Sequence, residues 1–207
     1  PTRRSSDLLP DKYNVGFYAS GSDDDMGAAY MKCDGKLYAS GNVSITDEIL
    51  AEVDSLEISN TTYEFKKNLK LKNITLNSCS VAVRKGVTLE AIDTLNIRYG
   101  SMVVEGTVKG NITCVDAYGK TIENGSSFYM NGGSITELPE AVNIYYPVTT
   151  KYSESGGTIT NTGLSSFTLA GEGLFAKVSS TVSFTATPKT GFHMYVGTYK
   201  ESAKTAA

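Results

Sequence analysis

The chain has 207 residues, 40% of them hydrophobic and 20% charged, with a formal net charge of −3. That is the balance of an ordinary globular chain, long enough for one or two domains. The slight acidity provides no basic field for nucleic acid, and no apolar run reaches the roughly 18 residues that a membrane-spanning helix needs.

The first octet, Pro1-Thr2-Arg3-Arg4-Ser5-Ser6-Asp7-Leu8, resembles the in-frame translation of a sequencing adaptor. The resemblance implies that residues 1–8 are an assembly scar outside the fold and that the chain is an internal window of a longer protein. Residues 9–36 predict a strand over Asn14–Tyr18 and a cap region up to the first repeat, because an uncapped sheet end would present a row of unpaired strand edges. Asp23-Asp24-Asp25 lacks the spaced ligands and closing Glu of a calcium hand and reads as an exposed loop.

Residues 37–146 carry a triple beat of short apolar pairs. The first pair of each unit is spaced by two residues, so both side chains point to one face of a strand: Leu37/Ala39, Leu56/Ile58, Ile74/Leu76, Leu95/Ile97, Ile112/Cys114, Phe128/Met130 and Ile144/Tyr146. These anchors are 19, 18, 21, 17, 16 and 16 residues apart. A second beat follows at Val43/Ile45, Tyr63/Phe65, Val81/Val83, Met102/Val104 and Ile135, with no clean counterpart in the fifth unit. A third falls at Leu50, Leu69, Val87 and Val108, continued by Leu71 and Leu89, and slides earlier to Ile122 and Leu138 in the last units. Turn formers separate the beats, as in Ser59-Asn60-Thr61, Lys85-Gly86, Tyr99-Gly100 and Asn131-Gly132-Gly133.

Three strands and three turns make one rung of a triangular coil. A lone rung has no second layer, so its inward side chains are buried only when rungs stack. The spacing therefore predicts an all-β chain built on a right-handed parallel β-helix, with six or seven rungs about 4.8 Å apart. Within this region residues 41–146 resemble the Asn- and Gly-rich β-helix segments of large surface proteins from gut bacteria.

From Pro147 the pattern changes. Gly156-Gly157-Thr158-Ile159-Thr160, Leu174-Phe175-Ala176, and Thr181 through Thr187-Pro188 to Gly191-Phe192 resemble a divergent internalin-type B-repeat of bacterial surface proteins. Val182, Phe184 and Ala186 alternate and are expected to face inward, Pro188 to end the strand, and Gly191 to permit a tight turn. The tryptophan that usually closes that module's core is absent, with Gly197 near its place. Residues 147–207 are thus expected to be a small B-repeat-like β module, and the resemblance implies a secreted or cell-surface bacterial protein.

Residues able to do chemistry are few. A serine or cysteine nucleophile needs a base beside it, and the one histidine, His193, lies in the turn after Gly191 with no rung to partner it. Cys33, Cys79 and Cys114 lack metal spacing, and Cys114 occupies an inward anchor position. Asp54 and Asp93 each precede a first strand by two residues and could align on one face, as acids do in β-helix enzymes that cleave polysaccharides; Lys72 and Gly110 hold that place in the neighbouring rungs, and Asp116 lies near another turn. No catalytic, cofactor or metal set is assigned. Among the thirteen tyrosines, Tyr99 and Tyr118 lie within or beside the rungs and Tyr146 is an inward anchor. Tyr129 and Tyr145 lie between inward positions, should point out, and are the candidate glycan contacts. The expectation is a non-enzymatic structural or adhesive segment acting as a rigid spacer or display surface, with a glycan or a host or cell-surface protein as partner. The alternatives are a carbohydrate-binding module and a fragment of a polysaccharide lyase or glycosidase.

Overall fold

A computed structural model describes residues 13–17, 29–33, 35–41, 45, 50, 53–139, 141–150 and 154–193. The adaptor-like octet, Asp23 to Asp25, Val43 and Gly197 lie outside these residues. The chain is a parallel β-solenoid of about five turns.

Strands β1 (Tyr13–Phe17) and β2 (Ala29–Cys33) are antiparallel to each other, and β2 pairs antiparallel with β3 (Lys36–Ser40), the first strand of the solenoid. From β3 to Val148 the strands of the coil pair in parallel. The first face runs through β3, β4 (Ser55–Ser59), the second half of β6 (Leu69–Asn77) and that of β8 (Thr88–Arg98), then β11 (Ile112–Thr113). The second face stacks β5 (Thr62–Phe65), β7 (Ser80–Val83), β9 (Ser101–Val104), β12 (Ser127–Met130) and β14 (Asn143–Val148). The third comprises the first halves of β6 and β8, β10 (Thr107–Lys109) and β13 (Ser134–Ile135). Between the third and first faces the strand continues round the corner through a register shift between Leu71 and Asn73, where a bulge bends it.

The interior is a column of aliphatic side chains. Leu37, Leu56, Ile74 and Leu95 line up on the first face, Val81, Met102 and Phe128 on the second, and Leu89 and Val108 on the third, all fully buried. The corner between the first and second faces repeats one conformation. Gly41, Asn60, Ser78 and Tyr99 follow in-register strand ends and have φ of 71, 51, 53 and 51°. This left-handed turn aims the N–H of residues 41, 60 and 78 at the carbonyls of Ser59, Asn77 and Arg98 in the next rung, at 3.3, 3.0 and 2.7 Å. At the corner between the second and third faces the backbones crowd: a Cβ added to Gly106 would lie 2.3 Å from the carbonyl oxygen of Val87, which only glycine avoids.

Several expectations are corrected. Phe128/Met130 and Ile144 are second-face positions, in register with Met102/Val104 and with Phe128 respectively. Ile112 and Phe128 therefore share one rung, which supplies the missing second beat of the fifth unit and reduces six or seven rungs to about five. Ile135 pairs with Val108 on the third face. The displacement comes from residues 114–126, an excursion that leaves the coil between the first and second faces.

The expected boundary at residue 147 falls inside β14. Beyond it, β17 (Leu174–Lys177) pairs antiparallel with β14, and β16 (Leu164–Ser166) pairs with β17, so both extend the second face. Strands β15 (Gly157–Thr162) and β18 (Ser183–Pro188) form a separate two-stranded ribbon. Phe184 and Ala186 are exposed there, contrary to the inward alternation expected, because the ribbon has no second layer among the described residues.

Candidate functional site

The outward side chains of the solenoid form columns along its axis, because in-register residues of stacked parallel strands lie one above another. Three columns alternate in charge. Lys72 Nζ sits 2.7 Å from Asp54 Oδ2 and feels Asp93 on its other side. Lys70 pairs with Glu90, which Lys109 also draws toward ionisation. Arg84 contacts Glu64 at 3.1 Å and Glu105 at 3.2 Å. Asp54 and Asp93 thus flank a lysine instead of forming an acid pair, and Asp54 pairs with that lysine directly. Among the described residues no group of three His, Cys, Asp or Glu is arranged to hold a metal ion.

The second face is apolar on its outside as well. Between the inward residues of β7, β9 and β12 stand Ala82, Val103 and Tyr129, followed in register by Tyr145. The chain's own C-terminal segment covers them with Phe167, Leu169, Ala170 and Phe175. The Tyr129 ring stacks between Tyr145 and Phe167, centroids 4.6 and 4.5 Å away and planes within 11 and 7°, and meets the edge of Phe175 at 5.3 Å. Arg84 fastens this cover by donating from Nη1 to the Leu169 carbonyl at 2.9 Å.

Tyr129 and Tyr145 do face away from the interior, but Tyr129 is only 8% exposed and Tyr145 is half-buried. An open aromatic row is therefore replaced by an internal stack, and burial pushes the Tyr129 hydroxyl's pKa up. Tyr146, expected inward, is half exposed, since its strand leaves the coil to pair with β17. Cys79 and Cys114 are buried free thiols whose pKa burial raises; Cys33 lies in β2 and His193 is exposed.

The excursion at 114–126 is the second feature. Val115 and Thr121 form an antiparallel bridge, closing a small loop. The Asp116 carboxylate accepts the N–H groups of Tyr118 and Lys120 at 2.8 and 2.9 Å, which hold its pKa below the usual range. Asn96 braces the stem: its Nδ2 donates to the Val115 carbonyl and its Oδ1 accepts from the Val115 N–H, both at 3.0 Å. Arg98 Nε donates to the same carbonyl at 3.0 Å. At the tip Tyr118 is 95% exposed. Tyr99, 59% exposed, lies at the far end, where a Cβ on Gly125 would come within 3.3 Å of its ring.

The sequence singled out Tyr129 and Tyr145, and named Asp116 and Tyr118, but foresaw neither the cover over the second face nor the bracing of the loop. The first had a readable signal: Val81-Ala82-Val83, Met102-Val103-Val104 and Phe128-Tyr129-Met130 are apolar at consecutive positions, the mark of a strand buried on both sides. The second had the Asp-x-x-Gly turn chemistry of Asp116 to Gly119, but nothing linking it to Asn96.

Comparison with protein-family models, with curated proteins and with solved structures returns no match.

Proposed function

We propose that the chain is a non-enzymatic structural and adhesive segment of a secreted or cell-surface bacterial protein, in which the solenoid is a rigid spacer and display surface. The observation that carries this reading is the engagement of the outward columns with one another. Asp54 with Lys72, Lys70 with Glu90, and Arg84 with Glu64 and Glu105 tie successive rungs together along the axis, and the second face is sealed by the chain itself. A surface arranged in this way favours stiffness along the shaft. The B-repeat resemblance of residues 147–207 supplies the extracellular setting.

Spin labels at Ser40 and Lys109, both exposed and on different rungs, test the spacer role by pulsed dipolar spectroscopy. A narrow distance distribution is expected; a broad one would remove it. Immunolabelling of intact against permeabilised cells of the source organism tests the location.

A polysaccharide-degrading enzyme is the second reading, and it rests on Asp54 and Asp93. The lysine between them is suited to holding rungs together and leaves no acid pair across a scissile bond. Hydrolysis or elimination of any glycan that vanishes in Asp54→Asn/Asp93→Asn would restore the enzyme reading.

A further inference from the structure

We propose that the braced excursion at 114–126 is a recognition loop for a neutral oligosaccharide, with Tyr118 as the stacking residue and the cleft beside its stem as the hydroxyl-binding part. The inference rests on the adhesive reading above and assigns it a site.

The first observation is preorganisation. An exposed loop tip ordinarily gives up conformational entropy on binding. Here the stem is clamped at Val115 by both ends of the Asn96 amide and by Arg98, and the tip is fixed by two N–H groups on the Asp116 carboxylate. Asn96 is itself 5% exposed, so the clamp works within the fold, away from competing water. What this bracing presents is a single, fully solvated aromatic ring. Nothing in the packing of the solenoid requires Tyr118.

The second observation is a polar cleft. An open cleft of about 530 Å³ lies under the excursion, lined by Thr113, Val115, Thr121, Glu123, Asn124 and Pro139 among others. Thr121, Glu123 and Asn124 are exposed, and their hydroxyl, carboxylate and amide groups are suited to hydrogen-bonding sugar hydroxyls.

The chemistry chooses among partners. A sugar ring presents C–H groups to an aromatic face and hydroxyls to surrounding acceptors, which suits one tyrosine among Asp116, Thr121, Glu123 and Asn124. A protein interface of specific size needs a broad apolar core, and the residues around Tyr118 are polar and exposed. The excursion and the arginine that braces it carry two carboxylates, Asp116 and Glu123, against two cations, Lys120 and Arg98, a balance that provides no cationic field for a polyanionic chain.

The test is titration of the full chain, followed by heteronuclear NMR, with cellohexaose, chitohexaose and mannohexaose as neutral probes and polygalacturonate and heparin as anionic ones. Binding of at least one neutral probe is expected, with shifts centred on residues 113–125. Tyr118→Ala should weaken it about tenfold or more, Tyr118→Phe should retain it, and Glu123→Ala, at an exposed residue lining the cleft, should weaken it without altering the fold. The exposure of Tyr118 keeps folding out of the comparison. Absence of binding to every neutral probe, binding to the anionic probes alone, or binding indifferent to Tyr118→Ala would overturn the proposal. A narrow Ser40–Lys109 distance distribution alongside such a failure would leave the spacer reading standing.

Discussion

Arg84 and Leu169 are 85 positions apart in the chain, yet the guanidinium of one donates to the backbone carbonyl of the other while gripping Glu64 and Glu105 on two neighbouring rungs. One side chain therefore joins three consecutive turns of the coil and the segment that covers them. Arg84→Ala would leave Glu64 and Glu105 without their shared counter-ion and free the Leu169 carbonyl. The expected cost is about 1.5–3 kcal/mol, read as a lower midpoint in urea. Arg84→Lys should recover only part of it, because an ammonium cannot fork to both carboxylates and the carbonyl.

Phe175 is completely buried against Tyr129 and the outer side of the second face. Phe175→Ala should cost about 3–5 kcal/mol, with the loss concentrated in the C-terminal cover. Limited proteolysis checks this: cleavage within residues 164–178 should accelerate well before cleavage in the rungs.

Asn96 and Ile97 are neighbours in β8, one braced against the excursion and the other inside the coil. Ile97→Asp buries an unpaired carboxylate and should cost several kcal/mol, above about 3. By alternation alone Asn96→Asp would be nearly free, since the residue points out. Its amide, however, is the donor to the Val115 carbonyl, and a carboxylate oxygen there would face another oxygen. A loss of about 1–3 kcal/mol is expected, with Val115 and Thr121 amides exchanging faster in NMR.

Lys72 separates Asp54 from Asp93, and Lys72→Glu would place three carboxylates in one column. Melting should shift slightly downward at low ionic strength and recover in salt, as expected for exposed charges. Indifference to salt would mean that the column plays no part in register.

Acidification should lower stability slightly through the protein's exposed, paired carboxylates. Arg84 and then Lys66 hold Glu64 low, Lys70 holds Glu90, and the Lys120 and Tyr118 N–H groups hold Asp116. Folded pKa values below the unfolded ones give stability that is present above about pH 4 and is lost as pH falls through the folded values. Cys79, Cys114 and Tyr129 have the opposite sign: burial raises them, so the unfolded chain ionises first and stability declines above about pH 8.5. Chemical denaturation across pH should show a plateau between these limits.

The rungs were legible because stacking demands apolar pairs at nearly constant spacing, and from Leu37 to Val104 nothing interrupts it. The excursion then adds residues without an alternating pattern, and the pairs at Phe128 and Ile144 keep their spacing while moving to another face. Spacing alone carries no label for which face a pair belongs to. The outward burial of Ala82, Val103 and Tyr129 was readable from three apolar residues in a row, though its cover was not. Phe167 and Phe175 lie in a stretch whose resemblance pointed to a separate module. Asn96 offered no local signal at all, because its partner is created by a loop that leaves the coil and returns.

The most direct measurement is of nuclear Overhauser contacts from the Phe128 ring in selectively labelled protein. Contacts with the Met102 and Ile144 side chains, in line with a parallel stack on the second face extended by β17, are expected. Absence of contacts with both Met102 and Ile144, or antiparallel cross-strand patterns between β9 and β12, would contradict the solenoid register on which the columns, the cover and the braced loop all depend.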